Sequence, residues 1–390
     1  MEVCWVGIRE SEAYHSDFVG DSISVFGSKP SSLEQKMGRR VNHNADVCGE
    51  TIGFFHADSM QAKLQEDKDY RFMLYSQIYT YYLFTKRGLT DKIVCLNDQA
   101  TVEFLNDKFK TMDLMRKSGV PVLDDYRIMR GKDIDCTSGV MVAQSSQGSG
   151  GSGTFVVTKE NKDKLLDGNQ EYLVSQYREG NVPLNAHILI SDKAVTVLPC
   201  SIQNIENIDN RLIYKGNDFI SYRNKDIIGE NTDKQFNDML MKIGGICQSV
   251  GYRGVMGIDA IAHNGNVYFM EVNPRFQNSS SVLNMGLRDN NLPSLQELNY
   301  RCFYGGDINI RTFDVNYSSY IRDYGAKNSD IPFKPVVQLD VAKPGIVYDS
   351  LSYVCTDLYD KPVWLLLSRK NNACNCDPVP YVLMNRGCRV

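Results

Sequence analysis

The chain has 390 residues, too many for one compact core and enough for two or three domains. Its 43 basic and 47 acidic residues leave a net charge of −4, which offers no bulk attraction for nucleic acid or an anionic membrane. Hydrophobic residues at 42% and charged residues at 23% exclude a disordered chain.

No apolar run approaches the roughly 20 residues that span a bilayer, and the opening MEVCWVGIRESEAY lacks a basic segment followed by an apolar one. A cytoplasmic protein is the expectation. Eleven cysteines are scattered between Cys4 and Cys388, and the one close pair, Cys374 and Cys376, is spaced too tightly for the usual zinc knuckle. Reduced thiols, without a structural metal, are expected.

In chain order, residues 1–105 open with SISVFGSKPSS, a β-prone run entering a Gly/Ser/Pro turn. The mixed apolar segment RFMLYSQIYTYYLF and the short strand KIVCLN follow, together compatible with an open α/β domain. NDKFKTMDLMRKSG predicts a helix capped by Asn106 or Asp107, with Phe109, Met112 and Met115 along one side and Gly119 as its stop. GVMVAQ, SSQGSGGSGT and FVV read as a hairpin with a glycine-rich tip.

Two or three strands are expected within residues 171–199, then a helix near 232–250 with Phe236, Met239, Leu240, Ile243 and Ile246 on its apolar face. GVMGIDAIA and NVYFMEVN read as antiparallel strands joined by His263, Asn264 and Gly265. From about residue 300 the runs KPVVQLDV, GIVYDSLSYV and PVWLLLS predict a β-rich tail, which either completes a ligand pocket through the GGD turn at 305–307 or serves association.

The chemistry concentrates on the paired strands. Asp259 and Glu271 can point into one cleft, and Asn273 shares the Glu271 face because strand side chains alternate. Three hard oxygen donors suit Mg²⁺ completed by nucleotide phosphates; an acidic sheet edge around an ordinary turn would read the same way. Arg275, held behind Pro274, suits a carboxylate or phosphoryl group, or else a surface ion pair. Gln277, Asn278, Ser279 and Ser280 offer neutral substrate contacts or simply form a turn. Gly148, Gly150, Gly151 and Gly153 expose backbone N–H groups able to cover phosphates, although such runs are often plain loops. The lysine and helix of a GxxxxGK[ST] loop are missing here.

Taken in order, NDKFKTMDLMRKSGVPV, QGSGGSGT, EYLVSQY, GID and FMEVNPRFQ resemble the ATP-grasp superfamily over residues 92–290. The resemblance implies an α/β and α+β chain: a pre-ATP-grasp α/β domain at 1–105, an ATP-grasp domain of two α+β subdomains at 106–299 and a β-rich C-terminal region at 300–390. It implies ATP and Mg²⁺ as cofactors. Lys108 would approach a phosphate, and Val174, Ser175, Gln176 and Tyr177 would line the adenine pocket. The glycine turn would cover the phosphates, Asp259, Glu271 and Asn273 would hold the metal, and Arg275 would stabilise the acyl phosphate.

Three positions depart from the family pattern. Gln144 stands where a second phosphate-contacting lysine is common, Asn185 where an acid near ribose or metal is common, and Ser175 where an acid flanks adenine. Lys215 is the expected compensating cation, or else an exposed loop lysine. The layout is similar to carboxylate–amine ligases of natural-product biosynthesis, which join an amino acid to a small molecule, peptide or carrier protein through an acyl phosphate with release of ADP. Other ATP-grasp carboxylate chemistry and a non-catalytic nucleotide-binding module stay open. Small-molecule carboxylate and amine substrates and a homodimer are compatible; nucleic-acid and membrane partners are not expected.

Overall fold

The computed structural model describes residues 2–7, 16–24, 41–43, 69–86, 88–148, 153–323, 347–356 and 362–371. Gly150, Gly151, the Cys374/Cys376 pair, the run KPVVQLDV and most of SISVFGSKPSS lie outside these residues.

The first third builds a parallel sheet. Strands β1 (Glu2–Gly7), β2 (Asp21–Ser24), β3 (Val41–His43), β4 (Tyr70–Leu74) and β5 (Ile93–Val94) run in the order β3-β2-β1-β4-β5. The sheet is covered on both faces, as parallel sheets require, and side-chain alternation divides β1 between two cores. Val3 and Trp5 join the core shared with the C-terminal helices, while Cys4 and Val6 join Phe72 and Phe84. Helix α1 (Gln77–Lys86) supplies Phe84 and follows β4 directly.

Two helices then lead into the larger unit. Helix α2 (Gln99–Asn106) was not foreseen in the sequence, although Asp98 caps it by accepting from the Thr101 N–H. Helix α3 (Lys108–Lys117) is capped by Asp107, which accepts from Phe109 and Lys110; Met112 and Met115 are buried, and Gly119 ends it at φ +71°.

The remaining strands form a 13-stranded sheet. Its outer part contains β6 (Arg127–Arg130), β7 (Met141–Gln144), β8 (Thr154–Val157) and β9 (Glu171–Gln176) in the order β8-β7-β9-β6, over a small core of Ile134, Ala143, Val157, Tyr172 and Val174. β7 and β8 pair antiparallel across the glycine segment, as the sequence suggests.

The central part contains β10 (Val182–Ile190), β11 (Val195–Val197), β12 (Ser201–Ile208), β13 (Arg211–Asp218), β14 (Gly254–His263) and β15 (Asn266–Asn273), in the order β15-β14-β10-β12-β13 with β11 beside β10. Outer and central parts meet in one paired position, Arg211 opposite Phe155, reinforced by Val156 N–H donating to Asn210 C=O at 2.8 Å. Helix α4 (Glu230–Ser249) lays Phe236, Met239, Leu240 and Ile243 on the central sheet, as its periodicity predicts. The β14–β15 hairpin turns through Asn264 (φ +50°) and Gly265 (φ +75°), the left-handed pair a two-residue hairpin loop demands.

Helices α5 (Ser280–Asp289) and α6 (Leu295–Tyr304) fill the space between the two sheets with Val282, Leu283, Leu287, Leu295 and Leu298. The GGD segment ends α6, with Gly305 at φ +85°, and is not part of the cavity described below. Beyond it, β16 (Tyr317–Asp323), β17 (Val347–Thr356) and β18 (Pro362–Asn371) pair antiparallel and join the large sheet where Ser318 lies opposite Asp218. Cys4, Cys136, Cys200, Cys247 and Cys302 are buried. No helix among the described residues is long and apolar enough to cross a membrane.

Candidate active site

The β14–β15 register sets Asp259 directly opposite Glu271 and Gly257 opposite Asn273. The register shifts just after Asp259, so Met270 is the extra residue of a bulge beside the two acids. Asn273 Nδ2 donates to Asp259 Oδ2 at 3.0 Å and reaches Glu271 Oε1 at 3.3 Å. Lys108, carried to the spot by the first turn of α3, places Nζ 2.8 Å from Glu271 Oε2.

The two acids share one site but feel different surroundings. Burial, then the Glu271 charge, pushes Asp259 up to about 7, against the lowering effect of the Asn185 hydrogen bond. Burial also pushes Glu271 upward, but the Lys108 ammonium, the hydrogen bond to Asp259 and the Arg275 charge together hold the carboxyl below the usual glutamate range.

Two facing carboxylates, one raised by its neighbour, are a donor set that a hard divalent cation would relieve, so the acids fit Mg²⁺. Asn273 fits only after a change. Its Oδ1 accepts from Arg275 at 2.9 Å and its Nδ2 faces the acids, so the carboxamide must turn over before its oxygen can serve a cation. Among the described residues no group of three or more His, Cys, Asp or Glu side chains is placed to hold a metal.

Arg275 is fixed from several directions. It donates to Phe276 C=O at 3.0 Å and to the Tyr75 hydroxyl at 3.2 Å, and its guanidinium lies 5.8 Å from the Tyr75 ring centroid. Tyr75 follows β4 of the parallel sheet, and its C=O accepts from Phe276 N–H at 3.2 Å. Trp5 stacks edge-on against both Tyr75 and Phe276. The parallel sheet thus braces the arginine through residues that sequence reasoning missed.

A network of carboxamides underlies the acids. Asn185 Nδ2 donates to Asp259 Oδ1 at 2.7 Å and to Gln277 Oε1 at 2.9 Å; its Oδ1 accepts from Ser279 at 3.1 Å and from Asn217 at 3.2 Å. Asn217 in turn donates to Ser201 at 2.8 Å and accepts from the Tyr214 hydroxyl. Asn185 and Asn217 are each 1% exposed. Asn185 therefore acts as a buried hub of neutral bonds, where an acid would set a third negative charge beside Asp259 and Glu271.

These groups border one cavity of about 560 Å³, large enough for a nucleotide-sized ligand. Lys108, Gln144, Gly148, Tyr177, Asn185, Asp259, Glu271, Asn273, Arg275, Gln277 and Ser279, all expected from the sequence, are on its wall. Gly153 closes the base of the glycine turn: its C=O accepts from Ser145 N–H at 2.9 Å, and at φ +87° a β-carbon would lie 2.8 Å from Ser145 Oγ. Lys108 N–H donates to Ser146 C=O at 3.0 Å, tying α3 to the same turn.

Besides Gly153, four expected positions among the described residues are not on the wall. Val174 and Ser175 are buried in the outer sheet, where β9 runs between β7 and β6, and the Gln176 N–H is committed to Asp125 Oδ2 at 2.8 Å. Of the expected adenine-pocket segment only Tyr177 reaches the cavity. Lys215 is neither exposed nor on the cavity wall. The β12–β13 register passes from Asn204–Gly216 to Ile205–Tyr214, leaving Lys215 as the extra residue, 5% exposed, while Tyr214 and Asn217 take the cavity side. Gln203, Tyr214 and Asn217 were missed because no short motif marks that hairpin; the bulge also breaks the simple alternation that would reveal its inner face.

Comparison with known proteins agrees with this architecture. Residues 105–279 match a family model described as an ATP-grasp domain. The [butirosin acyl-carrier protein]–L-glutamate ligase of Niallia circulans is 23% identical over 266 residues, covering 64% of this chain and 60% of that protein's length. In structure, the biotin carboxylase domain of Hydrogenobacter thermophilus 2-oxoglutarate carboxylase, solved with magnesium ADP, ADP and bicarbonate, superposes with a TM-score of 0.59 at 15% identity, covering 94% of this chain and 86% of that one. The N5-carboxyaminoimidazole ribonucleotide synthetase of Thermotoga maritima gives 0.52 at 13% identity, covering 95% and 94%. Over residues 105–279 the fold is that of an ATP-grasp domain, with a parallel five-stranded sheet before it.

Proposed function

We propose that this chain is an ATP-dependent carboxylate–amine ligase that forms an amide through an acyl phosphate and releases ADP and phosphate. The observation that carries the reading is the convergence of Asp259, Glu271, Lys108 and Arg275 on one cavity: two acids for a cation and two cations for anions. The relationship to an acyl-carrier-protein–glutamate ligase supports ligation of a carboxylate.

In this reading Mg²⁺ held by Asp259 and Glu271 neutralises phosphate charge when bound. Lys108 offers a further counter-charge to the phosphates. Gly148, on the cavity wall, lets the backbone approach them with no side chain in the way. Arg275, braced by Tyr75 and Asn273, orients the substrate carboxylate and stabilises charge as its oxygen takes the phosphoryl group. Gln277 and Ser279 contact the organic substrate. Gln144 and Asn185 supply hydrogen bonds where related sites use charge, consistent with a cavity whose cations are concentrated at Lys108 and Arg275.

The test incubates the purified protein with ATP, Mg²⁺ and pooled amino acids and short peptides, following ADP, AMP and product mass. Substrate-dependent ADP with a product heavier by one condensed unit is the expected result. AMP and pyrophosphate would overturn the acyl-phosphate route, and the absence of nucleotide turnover in every pool, including pools with a carrier protein, would overturn the ligase reading.

A further inference from the structure

The acids that fit a cation also orient two amides. Gln203 Nε2 donates to Asp259 Oδ1 at 3.0 Å. That oxygen already accepts from Asn185 Nδ2, and with the Gln203 nitrogen also on it the Gln203 Oε1 is turned elsewhere. Gln203 lies on the cavity wall, and its Oε1 meets no donor among the described residues. The same Oδ1 accepts from Asn185, whose Nδ2 also occupies Gln277 Oε1, so Gln277 retains Nε2 as its outward atom. Asp259 thus sets an acceptor, Gln203 Oε1, and a donor, Gln277 Nε2, on one wall of the cavity. The wall around them includes Tyr214 and Asn217 from β13, Asn278 after Gln277, and Glu206 on the same strand as Gln203.

We infer that Gln203 is the seat of the incoming nucleophile and that it selects a primary amine, accepting one N–H while the nitrogen lone pair faces the acyl carbon. This rests on the ligase reading above and adds the residue that recognises the second substrate. A carboxylate nucleophile has no hydrogen to give Oε1.

The seat constrains the proton as well. The C–N bond forms as the bond between the acyl carbon and the phosphate oxygen breaks, and the nitrogen must then lose a proton. A carboxamide is not basic enough to take it, so Gln203 positions the amine and the departing phosphate accepts the proton, leaving as hydrogen phosphate. An amine arriving as ammonium releases its additional proton to solvent beforehand.

The experiment uses the full chain with Mg·ATP and the carboxylate pool, offering hydroxylamine, a primary amine, an alcohol and the thiol of pantetheine in parallel, with products identified by mass. The wild type should yield hydroxamate and amide. Gln203→Leu should raise the KM for the amine at least about tenfold, the loss of one hydrogen bond, and by more than the KM for ATP. Gln203→Asn, which keeps the amide on a shorter stem, should lie between the two and serves if the leucine variant fails to fold. An ester or thioester in place of the amide, or equal KM shifts for amine and ATP, would overturn the inference and leave the ligase reading standing. Wild-type protein that releases no ADP with any pair would overturn both.

Discussion

Gly257, the glycine of the GID segment, tests the packing that holds the site. It lies opposite Asn273 and needs glycine for space, since its φ is not in the left-handed region. A β-carbon there would fall 2.0 Å from Gln277 Cδ, 2.2 Å from its Nε2 and 2.3 Å from its Oε1. The Gln277 side chain has little room to yield, because Asn185 holds its oxygen at 2.9 Å and its backbone N–H is bound to Ser280 Oγ at 2.9 Å. Gly257→Ala should therefore cost about 1–3 kcal/mol of overpacking, plus about 1 kcal/mol if Gln277 is driven off Asn185. Urea unfolding of the single variants Gly257→Ala and Gln277→Ala and of the double variant provides the measurement. Once Gln277 is shortened the new methyl has room, so the double variant should be more stable than the summed single costs predict, by about 2 kcal/mol. Costs that add to within about 0.5 kcal/mol would refute the steric account of this glycine.

His187 is fully buried, with Nε2 2.9 Å from Ser280 Oγ and no partner at Nδ1; burial, then the charge of Arg275, pushes its pKa down to about 3. The folded imidazole stays neutral while the unfolded one protonates below about 6.5, so its contribution is intact above that pH and is lost at about 1.4 kcal/mol per unit on acidification towards 3. His187→Gln should flatten the pH dependence of urea unfolding between pH 7.5 and 5 by about 2 kcal/mol. In α4, Gly244 packs so closely that a β-carbon would lie 2.4 Å from Val195 Cγ1, whereas Gly245 has nothing within 4 Å. Thermal denaturation should find Gly245→Ala stabilised by about 0.5–1 kcal/mol and Gly244→Ala destabilised by about 1 kcal/mol, its helix-propensity gain outweighed by the clash. Lys108→Met removes the 2.8 Å partner of Glu271 and should lower Mg·ADP affinity in calorimetry at least about tenfold, with Lys108→Arg closer to wild type.

Where sequence and structure agree, short-range chemistry sufficed. Asn264 and Gly265 define a hairpin on their own and so pair the two strands that carry the acids, whereas the bulge at Met270, which sets Glu271 rather than Met270 opposite Asp259, has no such local signal. Asp107 and Gly119 bound α3 for equally local reasons. Where they part, the cause is an irregular register or a contact between distant segments. One extra residue in β13 moves Lys215 off the cavity wall and turns Tyr214 and Asn217 toward it, and nothing in RLIYKGND announces that shift. Tyr75 meets Arg275 across 200 positions of sequence. The backbone of Ser175 and Gln176 is constrained by β7 and by Asp125, a contact 51 positions away for the latter. Helix α2, by contrast, was legible in the Asp98 cap and was overlooked.

The join between the outer and central strands also bears on how stiff the large sheet is. A continuous run of strands suggests a stiff plate, yet this one narrows at Arg211–Phe155 and the neighbouring Val156–Asn210 bond. The β7–β8 pair lies on the far side of that waist, while the acids and Arg275 sit on the near side. Within the sheet itself, the outer and central strands therefore share one narrow crease rather than a long ladder.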